Sequence, residues 1–101
     1  LAGVTYKANV SDQRETPAEP LVAHLRRMGA DVSYVDSHVV GFVVGGKEVP
    51  RIVDIGEAVR SADIVVVLQA HDEFIDSTEI GAAKCVLDTS GKFSGDNVDR
   101  L

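Results

Sequence analysis

Short apolar, β-branched runs alternate with amphipathic stretches along this chain, and the two periods predict different elements. Leu1 to Thr5 reads as a buried strand that turns abruptly polar. Pro17 lies near a helix N-terminus with Thr16 as N-cap, and Leu21, Val22, Leu25 and Met28 recur at helical spacing. Glu19, His24, Arg26 and Arg27 fall on the opposite, solvated face, and Gly29 is the stop. Val32 to Asp36 is a second strand, and a strand-helix-strand passage of this length forces parallel pairing. Phe42 to Val49 is two β-type runs about Gly45-Gly46, the pattern of a hairpin. A short helix is expected over Val53 to Arg60, then Ala62 to Leu68, the clearest buried strand and the expected centre of the sheet. A modest helix from Ile75 to Ala83 and a strand from Val86 to Thr89 complete the pattern, and Ser94 to Leu101 reads as a polar tail. The sum is one α/β domain: an open, mostly parallel sheet flanked by helices, with a small β-hairpin insertion.

Composition narrows this little. With 101 residues there is room for a single core, and 45% hydrophobic content with no Trp fills it with Val, Ile, Leu and Ala. A net charge of −6 leaves no basic stripe for a nucleic-acid backbone. No apolar run approaches a membrane span and no signal peptide is visible, so a cytoplasmic location is expected. The lone Cys85 stands at a strand start, where a small buried hydrophobe is expected rather than a nucleophile. A strand pattern at Leu1, without Met, is expected to mean that sequence precedes it.

The chemistry gathers in the loops. In a parallel sheet those after Thr5, Asp36, Leu68 and Thr89 leave one edge, so Lys7, Arg14, His71 and Lys92 can face one crevice and offer donors to an anion. A surface loop whose Lys, Asp, Arg and Glu neutralise each other in water is the plainer reading of the first of them. Asp36 stands where a dinucleotide-binding fold places its ribose acid, but Gly3 alone is no glycine-rich turn, and a turn or cap role toward Ser37-His38 is expected instead. His71 is expected to start a helix or pack a loop, with no metal-ligand pattern around it. No nucleophile elbow, phosphate loop or metal cluster is legible, so no catalytic residue is assigned.

The run Gly3-Val4-Thr5-Tyr6-Lys7 followed by Asp12-Gln13-Arg14-Glu15-Thr16-Pro17 resembles the segment that opens the C-terminal domain of the UDP-glucose/GDP-mannose dehydrogenase family. Ala62 to Val67, His71-Asp72-Glu73-Phe74 and Val86-Leu87-Asp88-Thr89 continue the resemblance over nearly the whole chain. It implies a Rossmann-like, UDP-sugar-binding domain over residues 1–101. The NAD-binding and catalytic-cysteine domains of the NAD-dependent nucleotide-sugar 6-dehydrogenase would lie outside it. Lys7 then matches a lysine contacting the nucleotide sugar and Arg14 an arginine reaching NAD, while Asp12 and Glu15 would orient the loop. The family often carries a basic substrate anchor directly after Asp-Thr, where Ser90-Gly91 intervenes here, so either Lys92 stands in for it or the anchor is lost. Cys85 does not match the family's catalytic cysteine. A homo-oligomer is expected of the full-length protein. Two other readings are a standalone α/β module sensing an anionic metabolite, and a dimerising domain that presents Val39, Val40 and Phe42 to a partner.

Overall fold

The computed structural model describes residues 1–12 and 15–101. Its elements in chain order are α1 (Ala18–Arg27), β1 (Val43–Val44), β2 (Lys47–Glu48), α2 (Ile55–Ser61), β3 (Val65–Val67), α3 (Asp72–Ile75), a 3-10 turn (Ile80–Ala82), β4 (Val86–Asp88) and β5 (Val98–Arg100). Strands β3, β4 and β5 form a parallel sheet in that order, with Val66 opposite Leu87 and Leu87 opposite Asp99. Single parallel bridges extend it beyond β3: Ala2 joins Val67 on one side and Val35 on the other, and Tyr34 joins Arg51. Numbered along the chain, these six extended segments lie across the sheet as third, second, first, fourth, fifth, sixth. That is the doubly wound order, whose direction of winding reverses between Ala2 and β3.

Two apolar clusters flank the sheet. One gathers Val59 of α2, Phe74 of α3, Ile80 and Ala83 against Ala2, Val35, Val65, Val67 and Val86. The other gathers Ala18 and Val22 of α1 with the hairpin residues Phe42, Val44 and Val49 around Val4, Tyr34 and Val39. The neighbours Tyr34 and Val35 belong to different clusters, as side-chain alternation along an extended segment requires. The hairpin turns through Gly45 and Gly46, both at positive φ, which a two-residue turn of this hand demands. Arg26 locks it to α1 by donating to the carbonyls of Val44 and Glu48, each at 2.9 Å. Half-buried Arg26 is therefore a clamp and not the solvated residue its spacing predicts.

Several boundaries depart from expectation for local reasons. Helix α1 starts at Ala18 after Pro17, and Thr16 caps from one residue further out, its hydroxyl accepting from the Ala18 N–H at 3.2 Å. Met28, expected inward, follows the helix and is 70% exposed. The helix expected over 75–83 splits into α3 and the 3-10 turn. Ser77 accepts from the Glu79 N–H, a side-chain competition that breaks helices. The polar tail contains β5, which a backbone ladder holds (Val86 N–H to the Asn97 carbonyl, Leu101 N–H to that of Asp88) and not an apolar pattern.

Gly3 sits at φ +85°, and a Cβ there would stand 2.7 Å from both Cβ and the carbonyl oxygen of Gln69. Gly29 has the same φ with open space around it. Gly29→Ala should therefore cost about 1 kcal/mol, the penalty of the left-handed backbone alone, and Gly3→Ala at least about 1 kcal/mol more. Urea denaturation of the two variants checks this; equal losses would mean that the approach to Gln69 is not a constraint.

Candidate functional site at the sheet edge

Open α/β sheets bind ligands where the winding reverses, outside the carboxyl ends of the strands. Here that place lies between the loop leaving Ala2 and the loop leaving β3, and the absence of a side chain at Gly3 lets the two backbones close together. Gln69 donates from its side-chain amide to the Tyr6 carbonyl at 2.9 Å, stitching the loops at the top.

Beneath them lies a buried carboxylate, Asp36, at the end of the second extended segment. Its Oδ2 accepts from the Val4 N–H at 2.8 Å and from His71 Nε2 at 2.9 Å, and its Oδ1 accepts from the His38 N–H at 2.8 Å. One carboxylate thus ties together three of the edge loops, and its bond to His38 makes the turn expected from Asp-Ser-His. His71 is equally buried. Its Nδ1 accepts from the Asn9 N–H at 2.8 Å, so Nε2 carries the proton and donates to Asp36. Asn9, at φ +61°, completes the junction by exchanging hydrogen bonds with Asp72: Asp72 N–H to Asn9 Oδ1 at 2.9 Å, and Asn9 Nδ2 to the Asp72 carboxylate at 3.2 Å. Asparagine is the residue, glycine apart, that best tolerates that backbone.

His71 accordingly starts α3 and packs a loop, as expected, and does not face the crevice with the cations. Sequence reasoning missed its neighbour His38, whose ring centroid is 4.4 Å away. Asp36, His38 and His71 place one ligating atom each within 4.8 Å of one another. Yet both ring nitrogens of His71 are engaged, one lone pair by Asn9 and one proton by Asp36, so the group as it stands is a hydrogen-bonded network. Asn9 and His71 are 62 residues apart. The turn-forming character of Asn was the one signal in the sequence.

Tyr6 N–H donates to the Asp12 carbonyl at 2.7 Å, closing the first loop on itself, and the Thr5 hydroxyl donates to the Lys7 carbonyl at 2.6 Å. Asp12 thus shapes the loop through its backbone. Lys7 is exposed on that loop, its Nζ 5.8 Å from the centroid of the Tyr6 ring. Glu15 is exposed at φ +58° ahead of α1. Arg14, expected to reach a cofactor, lies outside the described residues.

Lys92 rises on the far side of β3, exposed in the loop after β4. Asp88 builds that loop: fully buried, it accepts from the Ser90 hydroxyl at 2.6 Å, the Ser90 N–H at 2.8 Å and the Phe93 N–H at 3.0 Å. Thr89 fastens the base of the loop by donating its hydroxyl to the Val67 carbonyl at 2.8 Å. Lys7 and Lys92 therefore stand on hydrogen-bonded loops on either side of β3, an arrangement suited to an anionic ligand lying across the strand end. By contrast, the roughly 570 Å³ depression beside α1 and the hairpin is lined, among the described residues, by Glu15, Thr16, Glu19, Pro20, Ala23, Val44 and Gly45, none of them a cation. Half-buried Cys85 precedes β4, away from that edge.

The profile of the UDP-glucose/GDP-mannose dehydrogenase family, UDP binding domain, matches residues 1–94. The chain belongs to this family, as its UDP binding domain. Among curated relatives it is 42% identical over 74 residues to the UDP-N-acetyl-D-mannosamine dehydrogenase of Methanocaldococcus jannaschii, covering 73% of this chain and 16% of that protein. The enzyme of the same name from Methanococcus maripaludis is 39% identical over the same shares. The chain therefore spans about one sixth of these relatives. Of solved structures, a GDP-mannose dehydrogenase from Pseudomonas aeruginosa superposes with a TM-score of 0.78 at 22% identity, over 99% of this chain and 27% of that one. The UDP-N-acetyl-mannosamine dehydrogenase of S. aureus gives 0.70 at 29% identity, over 99% and 24%. These likenesses establish the α/β fold as that of the family's domain.

Burial pushes the Asp88 carboxyl up, but the bonds from the Ser90 hydroxyl and from the backbone of Phe93, Ser90 and Gly91 outweigh it and hold the group below its ordinary 3.8. A folded value below the unfolded one stabilises the domain above the unfolded value, and the gain is lost as pH falls through the folded value. Asp88→Asn should lose about 2 to 3 kcal/mol near neutral pH and show a shallower acid dependence of stability. Urea midpoints of both proteins from neutral pH downward measure this; parallel curves would show that the carboxylate is not what stabilises the loop.

Proposed function

We propose that this domain holds the nucleotide sugar in an NAD-dependent nucleotide-sugar 6-dehydrogenase, which oxidises the sugar C6 alcohol to the carboxylate. The observation that carries the reading is the pair of cationic loops flanking β3 at the reversal of the sheet, in a chain of this family. Lys7 supplies a point charge to the diphosphate and Lys92 a second from the opposite loop; their task is binding and positioning, which accelerates a reaction only where the reacting groups are also present. The substrate is a UDP-N-acetylhexosamine, a choice supported by relatives whose names specify UDP-N-acetyl-D-mannosamine. The same reading includes Arg14 as a contact to NAD, Asp12 and Glu15 as residues that orient the loop, and the N-terminal domains of the same polypeptide as partners. A homo-oligomeric full-length enzyme, a part in polysaccharide biosynthesis and a cytoplasmic location belong to it too. No described helix is long and apolar enough to cross a membrane.

The described residues do not themselves fit a complete NAD site. A dinucleotide fold needs a glycine-rich turn leading directly into a helix and an acid free to take the ribose hydroxyls. Here α1 begins only at Ala18, and Asp36 is buried with its oxygens engaged by Val4, His38 and His71. NAD, when bound, accepts the hydride; the residues of this chain supply the donors and the closed loops around the nucleotide sugar.

Lys7→Ala should weaken UDP-sugar binding to the full-length enzyme by about 1 to 3 kcal/mol, whereas Cys85→Ala should leave turnover intact. Steady-state kinetics and calorimetry decide between them. Unchanged affinity in the first variant removes Lys7 from the site, and a folded but inactive second variant would place the thiol in the chemistry.

A further inference from the structure

The buried imidazole bears on the nucleotide-binding reading above, on which the following rests. Among the described residues, the ties of the loop carrying Lys7 include the Thr5 hydroxyl at the Lys7 carbonyl, the Gln69 amide at Tyr6, and the His71-Asn9-Asp72 junction. Of these, the bond from the Asn9 N–H to His71 Nδ1 rests on an imidazole lone pair, which protonation of the ring removes. Asp36 fixes which nitrogen keeps that lone pair, because its carboxylate accepts the hydrogen bond from Nε2–H. In the doubly protonated ring both nitrogens are donors, and Nδ1–H would point at Asn9 N–H.

We propose that His71 is a positioning residue for UDP-sugar binding: as a neutral imidazole oriented by Asp36 it holds the Asn9 end of the Lys7 loop down on the sheet edge, and taking a second proton releases that loop and weakens binding. The Asn9 bond needs this neutral form, so the domain loosens its hold on an anionic ligand when the ring takes up its second proton. Other groups bear on the ring. From the second extended segment come the Asp36 carboxylate and the His38 ring, whose Nδ1 lies 3.3 Å from Asp36 Oδ1. The Asp72 carboxylate and the Phe74 ring, at a centroid distance of 5.5 Å, come from α3, and Glu73 of the same helix is engaged by the Ser37 N–H. The Thr5 hydroxyl is 3.5 Å from Nε2, and Lys7 and Asp12 belong to the loop itself.

Two substitutions separate the two halves of the ring. Asn places an amide oxygen where Nδ1 stands and keeps the acceptor for Asn9 without titrating; Gln reaches toward Asp36 and leaves Asn9 without its acceptor. UDP-glucose is the probe, since its diphosphate is esterified at both ends and does not ionise in the histidine range. In the unsubstituted chain, the Asn9 and Lys7 amide signals should move on acidification together with the ring nitrogens of His71, and UDP-glucose affinity should fall over the same interval. His71→Asn should bind within about threefold of the unsubstituted chain at neutral pH with a flattened pH profile, and His71→Gln roughly tenfold more weakly. An Asn9 amide indifferent to the His71 titration overturns the inference whether or not either variant folds. So does an unaltered pH profile in His71→Asn, which assigns the titration to His38 or another group. Binding of UDP-glucose that ignores both changes leaves the nucleotide reading standing and removes this one; no binding of UDP-glucose or of a UDP-N-acetylhexosamine at any pH removes both.

Discussion

A carboxylate with no solvent contact holds the functional edge of this domain together. Asp36 accepts from the backbone of one loop, the backbone of its own turn and the imidazole of a third loop, and each of those bonds is made to a charge in a water-excluded place. Such bonds are stronger than neutral ones, and the charge would be costly were any of its partners withdrawn. The consequence is geometric: the exits of the first, second and fourth extended segments are fixed relative to one another, and the exposed donors on them inherit that order.

Asp88 repeats the device on the other side of β3. There a buried carboxylate organises a single loop, folding Ser90 to Phe93 about itself and presenting Lys92 outward. Both acids stand at the carboxyl ends of extended segments, and both turn a burial penalty into loop order by accepting several N–H or O–H groups. An acidic chain can therefore present lysines at this edge, since two of its carboxylates are inside, stabilised by hydrogen bonds, while the lysines stay outside.

Much of this architecture was legible because it rests on periodicity. Val65–Val67, Val86–Asp88, the Gly45-Gly46 hairpin and α1 follow from apolar spacing and from residues with fixed backbone preferences. What escaped was held by backbone pairing or by long-range polar contacts. Strand β5 and the bridge at Arg51 add width to the sheet through backbone pairing, with Val98 the one apolar side chain of β5 against the core, and peptide groups carry no sequence signal. The Lys7 and Lys92 loops were legible as cationic edge loops; that His71 lies beneath the Lys7 loop with His38 beside it was not, because only the fold brings Asn9, Asp36 and His71 together.

The central claim is that a nucleotide diphosphate sugar lies across the end of β3 between the two lysine loops. Mapping amide shifts of the chain on titration with a UDP-N-acetylhexosamine, with GDP-mannose and NAD as comparisons, tests it most directly. The account predicts shifts concentrated at Tyr6 to Asn9 and Ser90 to Lys92, larger for the UDP compound than for either comparison. Shifts centred on the acidic depression beside α1 and the hairpin, or a response to NAD alone, would contradict it.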